Sequence, residues 1–140
     1  MRDLIESLKS YLKESLNVAI NIHHWKNPGN LPFFLVNSYD FFKFSIFEQP
    51  CLLMVSKESA EITPGMISKH YREAQKNCND CIIYAKSIIS SYNRKRLIEH
   101  NIPFIIPGNQ MYLPHLGIDL REHFRRLHDK KDKSFSPASQ

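Results

Sequence analysis

The side chains able to do chemistry in this 140-residue chain are its three cysteines, its seven histidines and a few carboxylates close to lysines. Cys78 and Cys81 stand in a C-x-x-C spacing. In a redox centre that spacing sits at a helix N-terminus, where the dipole stabilises a thiolate. Here the surrounding pattern places the pair where a helix ends and a strand begins, the wrong end for that effect. A zinc knuckle needs a second pair of ligands. Cys51 is alone in an apolar run, and no spacing rule joins it to His23, His24 or His70. The cysteines therefore read as structural, and no metal, cofactor or catalytic residue is assigned. His23-His24-Trp25 is an aromatic, polar cluster at a predicted strand end. Such a cluster can line a ligand pocket, although residues of this kind more often form the rim of a sheet. His115, directly after Pro114, reads as a loop residue.

The elements that must position these groups follow from periodicity. Leu4, Ile5, Leu8, Leu12 and Leu16 recur at three- and four-residue steps, which predicts a first helix burying one stripe. Val18, Ile20 and Ile22 alternate with Asn21 and His23 as a half-buried strand does, and Lys26-Asn27-Pro28-Gly29-Asn30 has the chemistry of a loop. Apolar runs over 33–36, 41–47 and 51–55 read as strands. Asn37-Ser38 and Glu48-Gln49-Pro50 would connect them as antiparallel hairpins. Thr63 as N-cap and Pro64 as first helical residue open a helix to about Lys76. The continuous apolar run 81–85 predicts a strand covered on both faces. A basic amphipathic helix over 92–100, a strand over 103–106, a Pro107-Gly108-Asn109 turn and a strand over 111–113 follow, with Pro114 as a stop. The fold class expected is α/β: a mixed β-sheet, antiparallel in its N-terminal strands and closed by an α-β-α-β unit, packed with three to four helices.

Composition adds bounds. A chain of 140 residues with 42% hydrophobic and 24% charged residues is one globular domain that needs no metal or disulfide to fold. A net charge of +5 and a pI near 9.2 permit an anionic partner without requiring one. Few cysteines, odd in number, and an amphipathic rather than apolar N-terminus suggest a reducing, cytoplasmic setting. No run approaches the roughly 18 apolar residues of a membrane span. Arg94 and Lys95 are candidates for nucleic-acid phosphate contacts, against the plain alternative of a solvated helix surface.

After Pro114 the pattern changes. Leu120, Phe124 and Leu127 are spaced for one face of a helix, and a polar linker begins at Asp129. Phe135-Ser136-Pro137 then carries staple, N-cap and first-turn residues of a further helix. The expected organisation is an α/β N-terminal domain over 1–128, with 129–140 as linker and start of a further, missing domain.

The order helix, strands, helix, strand resembles the restriction-endonuclease-like core. A nuclease of that kind needs an acidic residue on one strand and acidic-x-Lys on the next, to hold magnesium and orient water. Asp40 and Lys57 occupy plausible places, but Val55 stands where the second carboxylate is required, and Glu58 and Glu61 are out of register.

Several phrases resemble bacterial MarR-type winged-helix transcriptional regulators. They are Leu31-Pro32-Phe33-Phe34-Leu35 with Tyr39-Asp40, Leu52-Leu53 leading to Lys57, and Thr63-Pro64 with Lys69-His70. The most specific lie between Arg94 and Glu122: Asn93-Arg94-Lys95-Arg96-Leu97-Ile98, then Pro103-Phe104-Ile105-Ile106-Pro107-Gly108-Asn109-Gln110-Met111-Tyr112-Leu113-Pro114, then Leu120-Arg121-Glu122. The resemblance spans about 31–140. It implies a non-enzymatic sensory or dimerisation domain of a cytoplasmic DNA-binding regulator. The implied partners are DNA through the missing C-terminal domain, a second copy of the chain, and an unidentified small-molecule effector. His24, Trp25, Arg96 and Tyr112 are the candidate ligand-binding residues. The alternative is a nuclease-like domain, active or degenerate, that touches nucleic acid directly.

Overall fold

A computed structural model describes residues 2–26, 29, 31–57 and 62–121. Its first element is the expected amphipathic helix, α1 (Arg2–Leu16), which buries Leu8, Tyr11 and Leu12. A two-residue edge strand β1 (His23–His24) and a short helix α2 (Phe33–Ser38) lead into the hairpin β2 (Tyr39–Ile46) and β3 (Gln49–Ser56). Helix α3 (Pro64–Asn77) opens on Thr63, whose Oγ1 accepts the Met66 N–H at 3.3 Å. Strand β4 (Cys81–Ala85) follows. Helix α4 (Ser91–Glu99) is capped by Ser90, whose Oγ accepts the Asn93 N–H at 3.2 Å. The described chain ends with β5 (Phe104–Ile106), β6 (Gln110–Leu113), a 3-10 turn (Pro114–Leu116) and β7 (Ile118–Arg121).

The strands form one mixed sheet in sequence order, β1 to β7. β1, β2 and β3 pair antiparallel, β3, β4 and β5 run parallel, and β6 and β7 return antiparallel. Parallel neighbours need a crossover, and α3 and α4 supply the two. Strict alternation divides the side chains. Tyr39, Phe41, Leu52, Met54, Ile82, Tyr84, Phe104 and Ile106 share a core with Leu35 of α2, Ile67 and Tyr71 of α3 and Leu97 of α4. Phe42, Phe44, Leu53, Val55, Ile83, Ala85 and Ile105 share the opposite core with Leu8, Tyr11 and Leu12 of α1. The sheet is thus covered on both faces, which is why 81–85 reads as an unbroken apolar run. Each buried leucine or isoleucine contributes about 1.5–3 kcal/mol.

The expected α/β class and its antiparallel-then-parallel order match this architecture, but three expectations are corrected. Residues 18–22 form no strand. Ile20 and Ile22 nonetheless pack against the α1-side core, so their alternation reports side-chain burial rather than a hydrogen-bonded ladder. The run 33–36 is the start of α2, and Asn37-Ser38 is its last turn rather than a hairpin. Its β-favouring residues are overruled because Pro32 starts a helical turn, its carbonyl accepting the Leu35 and Val36 N–H groups at 3.1 and 3.3 Å. Leu120 lies in β7, paired with Met111, and not in a helix. Phe124, Leu127 and the whole of 122–140, like most of the 26–30 loop, lie outside the described residues.

The hairpin between β2 and β3 holds an avoidable cost. Ile46 pairs with Gln49, which leaves Phe47 and Glu48 as a two-residue loop with φ of 52° and 68°. Positive φ at both positions is the type I′ combination, which favours Asn-Gly and costs an ordinary L-residue about 1–2 kcal/mol per position. Replacing Phe47→Asn together with Glu48→Gly is expected to raise the melting temperature by about 3–5 °C, checked by calorimetry. An unchanged or lower value would show that the turn carries no such strain.

Candidate functional site

β3, β4 and β5 run parallel, so both crossovers return to the same end of the sheet, and antiparallel β6 finishes there too. The residues just before β4, just before β5 and just after β6 therefore converge. They line a cleft of about 440 Å³ with Tyr71 and Gln75 of α3, Asn79 and Asp80 ahead of β4, Asn101 and Pro103 ahead of β5, and Pro114 and His115 of the 3-10 turn. Ile82 and Cys81 form part of its wall. That size suits a small molecule.

The polar groups in this cleft have definite hydrogen-bonding states. Gln75 Nε2 donates to Tyr71 Oη at 3.3 Å, an arrangement that does not use the phenol proton or Gln75 Oε1. Tyr112 Oη donates to Asn101 Oδ1 at 3.0 Å, which orients the Asn101 amide and keeps its N–H groups for another acceptor. Burial raises the Tyr71 phenol above its usual range, so it stays protonated. Burial lowers the His115 imidazole below its ordinary 6.5, so it is neutral near pH 7, with one donor and one acceptor nitrogen. Asp80 has one charged partner among the described residues, Lys43 Nζ at 3.9 Å, a separation at which a partly exposed pair contributes little. The same carboxylate borders a second cleft of about 630 Å³ that His23, Lys43 and Cys51 also line.

The predicted ligand residues are dispersed by the sheet. His24 and Trp25 lie at the β1 edge and, as neighbours on extended backbone, face opposite sides. The His24 ring sits 5.0 Å from Phe42, with Nε2 3.5 Å from Asp40 Oδ1. Trp25 packs edge-on to Phe41 at 6.5 Å, with the Lys43 ammonium 4.3 Å from its ring centroid. Arg96 lies on α4, 3.7 Å from Glu99 and 5.9 Å from the Tyr92 ring. Tyr112 belongs to β6, so four strands separate it from β1, about 24 Å at the usual spacing. A shared pocket containing all four does not form. Tyr112 alone reaches the cleft, through Asn101. Arg94 is half-buried and Lys95 exposed on α4. His115, read as a loop residue, lines the cleft. Asp80, Gln75 and Asn101 were not singled out. The only sequence signal for them was the polar Asn79-Asp80 pair wedged between two cysteines, and Asn101 closing a helix at φ 59°.

The other reactive groups separate in the same way. Cys78 caps α3 and packs into the core under α3 and α4, whereas Cys81 faces the α1 side. The spatial partner of Cys81 is Cys51, its neighbour in register across β3 and β4. Burial pushes the Cys51 thiol up to about 12, which suppresses its nucleophilicity. Asp40 pairs in register with Val55, and the Lys57 N–H donates to Ser38 O at 3.0 Å, so Asp40, Val55 and Lys57 share one end of the hairpin. Glu58 and Glu61 lie outside the described residues, and among those described no group of three His, Cys, Asp or Glu could hold a metal ion.

At that end, Tyr39 Oη and His70 Nδ1 share a hydrogen bond of 2.6 Å while the His70 ring rests 5.7 Å from Phe34. Burial raises the Tyr39 phenol well above its usual range, which keeps it a donor. Burial and the neighbouring Lys69 charge lower the His70 pKa below 6.5, which favours the neutral ring. Between the lowered value and 6.5 the unfolded chain binds more protons than the folded one, so stability is complete above 6.5 and lost as pH falls below it. His115 acts in the same direction. The melting temperature is expected to fall between pH 6.5 and about 5, and His70→Gln to flatten that slope, measured by thermal denaturation across pH. An unaltered slope in His70→Gln would remove the Tyr39–His70 bond from the cause.

No protein-family model, curated protein or solved structure matches this chain, so its functional reading rests on its own residues and their arrangement.

Proposed function

We propose that this chain is the non-catalytic sensory and dimerisation domain of a cytoplasmic bacterial winged-helix regulator, with DNA read by a domain beyond it. The observation that carries the sensory part is the cleft at the start of β4 and β5. Four separate segments deliver neutral hydrogen-bonding side chains and one carboxylate to a space of small-molecule size. Tyr112, within the stretch that resembles such regulators most specifically, is tied to that cleft through Asn101. No helix of the described residues is long and apolar enough to cross a membrane, and the three cysteines are free thiols. The test is fluorescence anisotropy of labelled duplex DNA at two salt concentrations, with this chain and with the longer polypeptide the proposal requires. Saturable binding by the longer chain alone is expected. Equal binding by the 140-residue chain, weakening steeply with salt, would transfer DNA contact to helices such as α4 and count against the proposal.

A degenerate nuclease-like domain is the second reading, favoured by the placement of Asp40, Val55 and Lys57 at one end of the β2–β3 hairpin. The variant Val55→Glu separates the two. Val55 is buried, so the regulator reading expects the carboxylate to destabilise the fold by several kcal/mol, on the order of 3, with no rescue by magnesium. Recovery of the melting temperature with about 10 mM magnesium chloride would favour the nuclease-like reading.

A further inference from the structure

We propose that the cleft at the start of β4 and β5 binds a small organic cation bearing N–H donors, of the amidinium, guanidinium or primary-ammonium class. The inference rests on the sensory reading only for its biological use, because binding can be measured on this chain without DNA. Its basis is the charge and hydrogen-bonding inventory of the walls. Asp80 is the single carboxylate among the described residues that line the cleft, and no lysine or arginine is among them. Its carboxylate accepts no hydrogen bond from the described residues, and Lys43 approaches only to 3.9 Å, from the side of the other cleft. A carboxylate accepts several hydrogen bonds when ionised, and charge-assisted donors satisfy it best.

The remaining groups suit the same ligand and oppose an anion. Gln75 lines the same cleft and its Oε1 is a further acceptor, since its Nε2 is engaged with Tyr71. Asn101, held by Tyr112, turns its amide N–H groups to any acceptor atom the ligand carries. Half-buried Pro114 offers apolar surface for a hydrocarbon or aromatic body. An anionic ligand would face Asp80 with no cationic side chain among the described lining residues to offset the repulsion. A neutral amide would bring the carboxylate no charge-assisted donor of its own. The cation is therefore the class that these walls discriminate in favour of.

The test uses three probes of one shape: benzamidine, benzamide and benzoate, titrated into the chain and followed by two-dimensional amide NMR. Benzamidine is expected to bind with a dissociation constant on the order of 1 mM or below. Its shift changes should centre on residues 75–82, 101–103 and 114–117. Benzamide should bind about tenfold more weakly and benzoate weakest, and Asp80→Asn should abolish the preference for benzamidine over benzamide. The carboxamide of that variant keeps the shape of the carboxylate, and Asn101→Ala provides a second variant that should weaken benzamide and benzoate, which carry acceptor oxygens, and leave benzamidine, which carries none, nearly unchanged. Absence of benzamidine binding at about 10 mM, equal binding of benzoate, shifts located elsewhere, or an unaltered preference in Asp80→Asn would each overturn the proposal. None of these outcomes depends on whether a longer chain binds DNA.

Discussion

Burial of the parallel strands on both faces is the constraint from which the rest of the structure follows. β4 and β5 are covered on both faces, so nearly every side chain they carry must find an apolar partner, on α3 and α4 above or on α1 below. Ile82 and Tyr84 face one core and Ile83 and Ala85 the other, all essentially inaccessible. A strand in that position cannot be joined to its parallel neighbour by a tight turn, so the chain must cross over through a helix each time. Those crossovers bring the connections back to a single end of the sheet. The polar residues excluded from the two cores collect there because there is nowhere else for them to lie close together.

The cleft is a product of that topology rather than of any one motif. Asn79 and Asp80, Asn101 and Pro103, and Pro114 and His115 are far apart in sequence, and each belongs to a connection that must be polar because its backbone is exposed. The same logic explains why the residues that look like a cluster in sequence do not form one. Cys78 and Cys81 straddle the passage from helix to strand and end on opposite faces, while Cys51, thirty residues away, becomes the neighbour of Cys81 through parallel register. His24 and Trp25 are adjacent in the chain, and extended backbone sends them to opposite sides of an edge strand.

The hairpin end that carries Asp40 shows the same separation of pattern from chemistry. Its register sets Asp40 opposite Val55, an apolar residue in the core beneath α1. Tyr39, on the other face, is engaged with His70 in a hydrogen bond, and burial favours the neutral form of both partners. A carboxylate beside a valine and a buried Tyr–His pair serve packing and pH sensitivity of the fold, while the open polar surface lies at the opposite end of β3.

Sequence alone determined the elements whose signals are local. The three- and four-residue spacing of Leu4, Leu8 and Leu12, the Thr63-Pro64 start of α3 and the unbroken run 81–85 each state their structure, because helix periodicity, end-capping and two-sided burial leave short-range marks. The α/β class followed from their order. Local pattern misjudged 18–22 and 33–36, where alternation or β-favouring residues met a tertiary context that offered no strand partner or started a helical turn at Pro32. Which polar residues share a cleft was decided only by tertiary structure. Register and crossover direction place Asp80, Asn101 and His115 together, and neither quantity is written in the spacing of the residues they assemble.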